Sequence, residues 1–228
     1  RWISFGLLKR TVLFLAAVRI LGSVTENKES QVFKLEVRRG LFWNIYVSQN
    51  VFFQHQKYTK RIRNTLCLKS DLIQVARDWL REKGVDPNSC SLVFVHIRRG
   101  DYLYWPSNEF PAVLDLAWYK RAMESVHGTI KNPIFILMGD DRFYLHDFFV
   151  ESNELVISDN SPEIDMAIMS LCHSGILSAS SFAWWGAFFA YSKQKQLGKF
   201  LAPKYWVGHR AKNWYPTGFG TDWITYLE

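Results

Sequence analysis

Between Leu92 and Pro203, five short apolar runs alternate with segments of helical period: VFVHI (93–97), IFILM (134–138), LVIS (155–158), GILSAS (175–180) and KFLAP (199–203). Between the first two, LDLAWYKRAMESV sets Leu116, Tyr119, Met123 and Val126 on one helical face. RFYLHDFFV repeats that period weakly. SPEIDMAIMSLCHSG then predicts a helix with Ser161 as N-cap, Pro162 at the first helical position, an Ile164, Ile168, Leu171 stripe and Gly175 as its stop. SFAWWGAFFAYSK reads as a helix apolar nearly all round. Strands that are continuous apolar runs, each followed by a helix, predict a parallel sheet covered on both faces, a doubly wound α/β domain over residues 90–228. In such sheets ligands lie outside the carboxyl ends of the strands. The polar clusters HIRRGD, GDD (139–141), SDNS (158–161) and SASS (178–181) fall there.

The first 89 residues are less regular and are read as a partial second α/β lobe. SDLIQVARDWLREKG predicts a helix capped by Ser70 or Asp71, with Leu72, Val75, Ala76 and Trp79 as its stripe and Gly84 as its stop. Basic VFFQHQKYTKRIRN precedes it. The apolar run TVLFLAAVRILG, interrupted by Arg19, is shorter than the roughly 20 residues that cross a bilayer, and is expected to be a core element. Any anchor would lie upstream.

Across 228 residues, 48% apolar content excludes disorder as the general state, and a net charge of +7 favours an anionic partner: nucleic acid, a phosphorylated small molecule or an acidic membrane surface. There is no GxxxxGK[ST] loop and no GxGxxG after the first strand, which disfavours P-loop hydrolases and dinucleotide oxidoreductases. Cys67, Cys90 and Cys172 have no zinc-site spacing; one disulfide plus a thiol and three thiols both stay open.

The chemistry concentrates where VFVHI ends in His96, Arg98, Arg99 and Asp101. Arginine cannot shed its charge, so this strand end must hold an anion or a carboxylate. Strand alternation puts His96 and Arg98 on one face and Arg99 on the other. One arginine then reaches the cleft while the other is tied to structure, to Asp101 or to the GDD segment. An ion-pair network alone would satisfy both. Ser180 and Ser181, where a strand meets a helix N-terminus, form a second anion site at a neighbouring strand end, and the pair of sites argues for a diphosphate ligand. Asp140 and Asp141 lack DxD spacing; they are expected to pair with Arg98 or to cap the next helix rather than to bind Mg²⁺.

HIRRGDYL, IFILMGDD, PEIDMAIMSLCHSGILSASSFAWWGAFFA and KFLAPKYW together resemble glycosyltransferase family 11, the α-1,2-fucosyltransferases, over residues 90–207. The likeness starts more faintly near residue 45, through FFQHQKYTKRIRNTLCLK. His-x-Arg-Arg-x-Asp is shared with other enzymes that use GDP-fucose; the run from Asp165 to Gly186 is far more specific. The resemblance implies a two-lobed glycosyltransferase-B fold with an incomplete N-terminal lobe, since the family's Gly-Leu-Gly-Asn-Gln segment is absent. It also implies GDP-fucose as donor substrate, no metal or cofactor, and inverting transfer to the 2-hydroxyl of a terminal galactose on a glycan acceptor. By the same resemblance, Arg98 and Arg99 engage or support the diphosphate, His96 and Asp101 hold that constellation, Ser180 and Ser181 contact phosphate, and Asp165 lies near the nucleoside or braces the pocket. A lumenal Golgi membrane location follows only by association.

Inversion needs a base for the acceptor proton. Asp101 is read as structural first and as base second, because its expected partner Arg99 would weaken it. Trp184 and Trp185 are read as core, His173 as a polar residue late in its helix, Cys172 as buried and inert. Trp206, Trp214, Tyr215 and Trp223, near His209 and Arg210, are candidates for a sugar cleft. The rivals are a basic nucleotide- or nucleic-acid-binding domain, with Lys57, Lys60, Arg61 and Arg63 as its patch, and an adhesion module displaying Arg-Gly-Asp.

Overall fold

A computed structural model of the chain describes residues 5–29, 32–49, 54, 56–86, 89–193, 198–206, 209–212 and 221–228. Two compact units divide between Gln56 and Lys57: residues 1–56 with 217–220, and residues 57–216 with 221–228. The first unit holds helix α1 (Phe5–Ala17) and a three-stranded sheet of β1 (Leu21–Glu29), β2 (Val32–Arg38) and β3 (Phe42–Gln49). Its order is β2-β1-β3, with β1 antiparallel to β2 and parallel to β3. The run expected to be core is helical up to Ala17, and Phe14 and Val18 on it are exposed.

The second unit begins with α2 (Gln56–Ile62, its first residue at the boundary) and α3 (Ser70–Glu82). α3 packs on α6 (Pro162–Met169) through a face that buries Ala76 and Leu80, so it belongs to the sheet-bearing unit although it precedes residue 90. Lys69 is its N-cap and makes no side-chain cap bond; Gly84, at φ +73°, ends it in the left-handed region that glycine alone enters without strain.

The sheet of this unit has six strands, β4 (Ser91–Ile97), β5 (Pro133–Gly139), β6 (Leu155–Ile157), β7 (Ser174–Ile176), β8 (Phe200–Pro203) and β9 (Ile224–Leu227). Their order is β6-β5-β4-β7-β8-β9, and every pairing is parallel. This is the doubly wound order: the chain winds outward from β4 to β6, then returns to the other side of β4 as β7. The β4/β7 junction is therefore the topological switch point, where adjacent loops diverge and leave a crevice.

β4 is buried from Leu92 to Ile97, as a strand covered on both faces must be. Val93, Val95 and Ile97 join the cluster that contains Trp118, Tyr119, Ala122 and Val126 of α4 (Leu116–His127). Phe94 faces the other way, 6.4 Å from the Phe200 ring, and the His96 ring follows it, 5.4 Å from Phe182 of α7 (Ser181–Lys193). At the strand end Ile97 pairs with Gly139, where any Cβ would stand 2.2 Å from the Ile97 carbonyl oxygen.

Three sequence expectations shift. The sixth strand, β9, lies in a tail read as loop. β7 stops at Ile176, because Leu177 and Ser178 leave the ladder while still donating N–H to Leu201 O and His96 O. α6 begins at Pro162 with Ser161 as N-cap, but ends at Met169, and i→i+3 bonds from Leu171 and Cys172 close its last turn. His173 thus lies beyond the helix and clamps β4: its N–H donates to Leu92 O (2.8 Å) and its Nδ1 accepts Leu92 N–H (3.2 Å). Gly175 lies in β7 against the Phe94 ring, not at a helix end.

Candidate active site

The crevice predicted by the strand order is present. A cleft of about 190 Å³ is lined by His96 and Arg98 from β4 and its exit, Gly139 and Asp140 after β5, Pro162 and Asp165 of α6, and Ser180 and Phe182 at the start of α7. Four strand ends feed it, as the positions of the polar clusters foretold.

His96 is buried, and its Nδ1 lies 2.7 Å from Ser178 Oγ. Burial, with Arg98 adding, pushes the imidazole down to about 3, so it is neutral and works as a hydrogen-bonding wall. Arg98 shares its face, as alternation requires. Its Nη2 donates to Asp101 Oδ1 (2.5 Å), its Nη1 lies 3.0 Å from Asp140 Oδ2, and its guanidinium sits 5.6 Å from the Tyr102 ring centre. Arg99 leaves on the opposite face: Nε donates to Asp141 Oδ2 (3.1 Å), and the guanidinium stacks 3.6 Å over Tyr144 of α5 (Arg142–Phe148). Of the two arginines Arg98 lines the cleft, and both have carboxylate partners, Arg98 with Asp101 and Asp140 and Arg99 with Asp141, as in the ion-pair network that the sequence left open.

Asp140 and Asp141 take the structural parts foreseen for them. Asp140 bridges, with Oδ1 accepting Arg99 N–H (2.8 Å) while Oδ2 holds Arg98. Gly100 leaves room for this, because a Cβ there would fall 2.5 Å from Asp140 Oδ2. Asp141 caps α5 by accepting Tyr144 N–H (3.0 Å). One expectation is corrected: Asp101 is tied to Arg98, not Arg99, because the 3-10 turn Gly100–Leu103 carries its carboxylate back toward the cleft.

Asp165 is buried on the α6 side and accepts a hydrogen bond from Ser158 Oγ (2.6 Å). Burial pushes its carboxyl up to about 7, against the pull of Ser158 and Arg142. Ser180 lines the cleft and starts the first α7 turn by accepting Trp184 N–H; Ser181 is the first residue of that helix. Helix N-termini leave their first N–H groups without intrahelical partners, which suits this end to an anion.

The family model described as glycosyl transferase family 11 matches residues 26–215. The chain belongs to this family. Among its relatives, the rat galactoside alpha-(1,2)-fucosyltransferase 1 is 28% identical over 161 residues, 67% of this chain and 42% of that protein. An alpha-1,2-colitosyltransferase of Escherichia coli is 28% identical over 75% of this chain and 57% of its own length, and the O-antigen biosynthesis glycosyltransferase WbnK of E. coli is 26% identical over 64% and 49%. The chain spans about half the length of the curated relatives it matches. Among solved structures, the fucosyltransferase NodZ from Bradyrhizobium superposes with a TM-score of 0.43 at 15% identity, over 81% of this chain and 60% of that one.

Within the family 11 chain, the cleft brings together His96, Arg98, Asp165 and Ser180 of the residues expected there, with Asp101 and Arg99 joined to it through Arg98 and Asp140. Reading the sequence placed Ser178 in the strand-end cluster SASS without giving it a part, and missed Tyr102 and Phe182. Ser178 carried a faint signal, a serine inside an apolar strand. Tyr102 ties the turn after β4 to the loop after β7 by donating to Ala179 O (2.6 Å). Trp184 is core, as expected, and Cys172 is buried with its Sγ donating to Ile168 O (3.3 Å). All three cysteines are free thiols. The aromatic tail is corrected: Trp206 is buried, and Trp223 stacks on Tyr191 at 4.7 Å and lies 5.5 Å from Phe200 of β8, so both are engaged in packing rather than in a sugar cleft; Trp214 and Tyr215 lie outside the described residues. Arg-Gly-Asp ends a buried strand with its Asp101 already paired, which is unlike a displayed adhesion loop.

Proposed function

We propose that this chain carries the GDP-fucose site of a galactoside 2-fucosyltransferase, which moves L-fucose with inversion from GDP-fucose to the 2-hydroxyl of a terminal galactose without a required metal. The observation that carries the reading is the cleft at the β4/β7 switch point of a family 11 chain, with Arg98 on its wall. As fucose departs, negative charge accumulates on the GDP phosphate, and a guanidinium held in place before reaction stabilises it by about 3 kcal/mol in a water-poor site. Ser180, Ser181 and the start of α7 take the other phosphate oxygens, and Asp165 faces the nucleoside. The sheet-bearing unit, expected over residues 90–228 and extended upstream by α3, is the donor side, and the first unit the acceptor side.

Arg98 has two carboxylates as counter-ions. An arriving diphosphate displaces the more exposed one, Asp101, and a carboxylate so freed stands where an acceptor hydroxyl must lose its proton. Asp101 is thus both a bracing group at rest and the first candidate for the base. A Golgi location draws support from the mammalian relatives alone; no helix among the described residues is long and apolar enough to cross a membrane.

The test is a calorimetric GDP titration of the 228-residue chain. Saturable binding that Arg98→Ala weakens by roughly 10- to 100-fold, with an unchanged far-UV spectrum, is expected for loss of a charge-assisted contact. Equal affinity in the two proteins would reject the donor site, and RNA binding indifferent to GDP would favour the nucleic-acid reading.

A further inference from the structure

The first unit has a cavity of its own, about 130 Å³ in volume, which the donor reading does not use. Three arginines line it, Arg19, Arg38 and Arg39, together with the hydroxyl-bearing Ser23 and Thr25. Strand alternation sets Ser23 and Thr25 on one face of β1, and the antiparallel register lays Arg38 and Glu36 of β2 opposite them. The turn after β2 then passes tight against the start of β1: a Cβ at Gly40 would fall 2.3 Å from the Leu21 carbonyl carbon, and Leu41 N–H donates to Arg19 O (2.8 Å). Residues from three segments of the chain thereby meet at one place.

Their charges do not cancel. Glu36 pairs with Arg38 at 3.4 Å, whereas among the described residues the Arg19 and Arg39 guanidiniums have no carboxylate partner. Like charges gathered around one cavity repel until an anion joins them. Arg19 is unfavourable for a second reason. It stands two residues past α1 at φ +60°, in the left-handed position of a Schellman turn, with its N–H donating to Ala16 O (3.2 Å) and Ile20 N–H to Leu15 O (2.9 Å). Glycine enters that conformation freely, and a residue with a Cβ does not. The negative end of the helix dipole accounts for one cation near Ala17, but not for three.

Guanidiniums and hydroxyls together offer a ring of donors. A phosphate monoester, with three free oxygens and nearly two charges at neutral pH, matches that ring. A carboxylate has one charge and two oxygens and would leave donors unused.

We propose that this cavity is a second anion site, separate from the donor cleft, which takes a phosphate monoester between Arg19 and Arg39 with its oxygens toward Ser23 and Thr25. The assignment is independent of which nucleotide sugar the donor cleft holds.

Amide NMR of the full chain tests it, with GDP present to occupy the donor cleft, inorganic phosphate as the probe and chloride at equal ionic strength as the control. Saturable shifts at Arg19, Ser23 and Arg39 are expected with phosphate alone. Arg39→Ala and Arg19→Gly should each weaken phosphate by roughly fivefold or more, the loss of one charge-assisted contact at an exposed site. In Arg19→Gly the exchange protection of the Ile20 and Leu41 amides should hold, because glycine suits the turn. Co-sedimentation with phosphatidylcholine vesicles containing phosphatidic acid, a monoester, or phosphatidylglycerol, a diester, identifies the source. Phosphate binding without sedimentation supports a soluble ester; sedimentation on phosphatidic acid that both variants abolish supports a lipid headgroup. Shifts that chloride reproduces, phosphate affinity equal in all three proteins, or equal sedimentation on both acidic lipids overturns the site. Protection lost in Arg19→Gly while Arg39→Ala binds phosphate normally overturns it too, since Arg19 would then serve the helix end.

Discussion

Arg98 gathers most of the residue-scale chemistry, and its two carboxylates are not equivalent. Asp101 is exposed and touches only the guanidinium, so its pair contributes at most about 1 kcal/mol. Asp140 is less exposed and also fixes the Arg99 backbone, which orients the arginine. GDP titrations should separate them: Asp101→Asn should tighten GDP by a few-fold, since a weak competitor is removed, whereas Asp140→Ala should loosen it by tenfold or more, roughly the effect of losing a charge-assisted bond. Asp165 offers a second, independent check. Its folded carboxyl titrates near 7, above its ordinary value of 3.8, so between those values the native state holds a proton that the unfolded chain has lost. Stability must therefore fall as pH rises from about 4 to 7, by at most about 1.4 kcal/mol per pH unit from this group. His96 acts in the opposite sense: its folded value of about 3 lies below 6.5, so its contribution is present above 6.5 and is lost as pH falls toward 3. Urea midpoints measured from pH 4 to 8 should rise more steeply with pH in Asp165→Asn than in the parent. Parallel profiles would place Asp165 in a wetter site than its burial indicates.

At the scale of elements, the strands and helices of the sheet-bearing unit were legible because burial on both faces leaves uninterrupted apolar runs, and helices between them keep a 3.6-residue stripe. The exceptions have local causes. ITYL at 224–227 follows Gly-rich TGFGTDW and alternates in polarity, so nothing in it distinguishes a sheet strand from a tail; pairing with β8 makes it one. α6 stops early because β7 must begin beside β4, and the His173–Leu92 exchange spends the intervening residues on that junction. Register at the β4/β5 ends tolerates no side chain at Gly139. Gly139→Ala should lower stability by about 2–4 kcal/mol through displaced backbone, seen as a lowered urea midpoint; an unchanged midpoint would mean that the strand ends part without cost.

For the molecule as a whole, the exposed apolar side chains of the first unit contrast with the core of the second. The sheet-bearing unit has a continuous core on both sides of β4 and β5, whereas in the first unit Leu8, Phe14, Val37, Leu41 and Ile45 are exposed. Amide exchange should therefore be slowest in β4, β5 and α7 and faster by orders of magnitude in α1 to β3; equal protection in both units would mean that the first is held by a core of its own. The sequence alone determined the parallel α/β sheet, the polar clusters at its strand ends, and the opposite faces taken by Arg98 and Arg99, because burial and alternation are written in residue order. Tertiary structure decided which carboxylate holds which arginine, that Ser178 and Tyr102 bond to groups around the cleft, and that the cleft opens at the β4/β7 junction. Those depend on register between segments some forty to eighty residues apart, and no periodicity within one segment encodes its alignment with another.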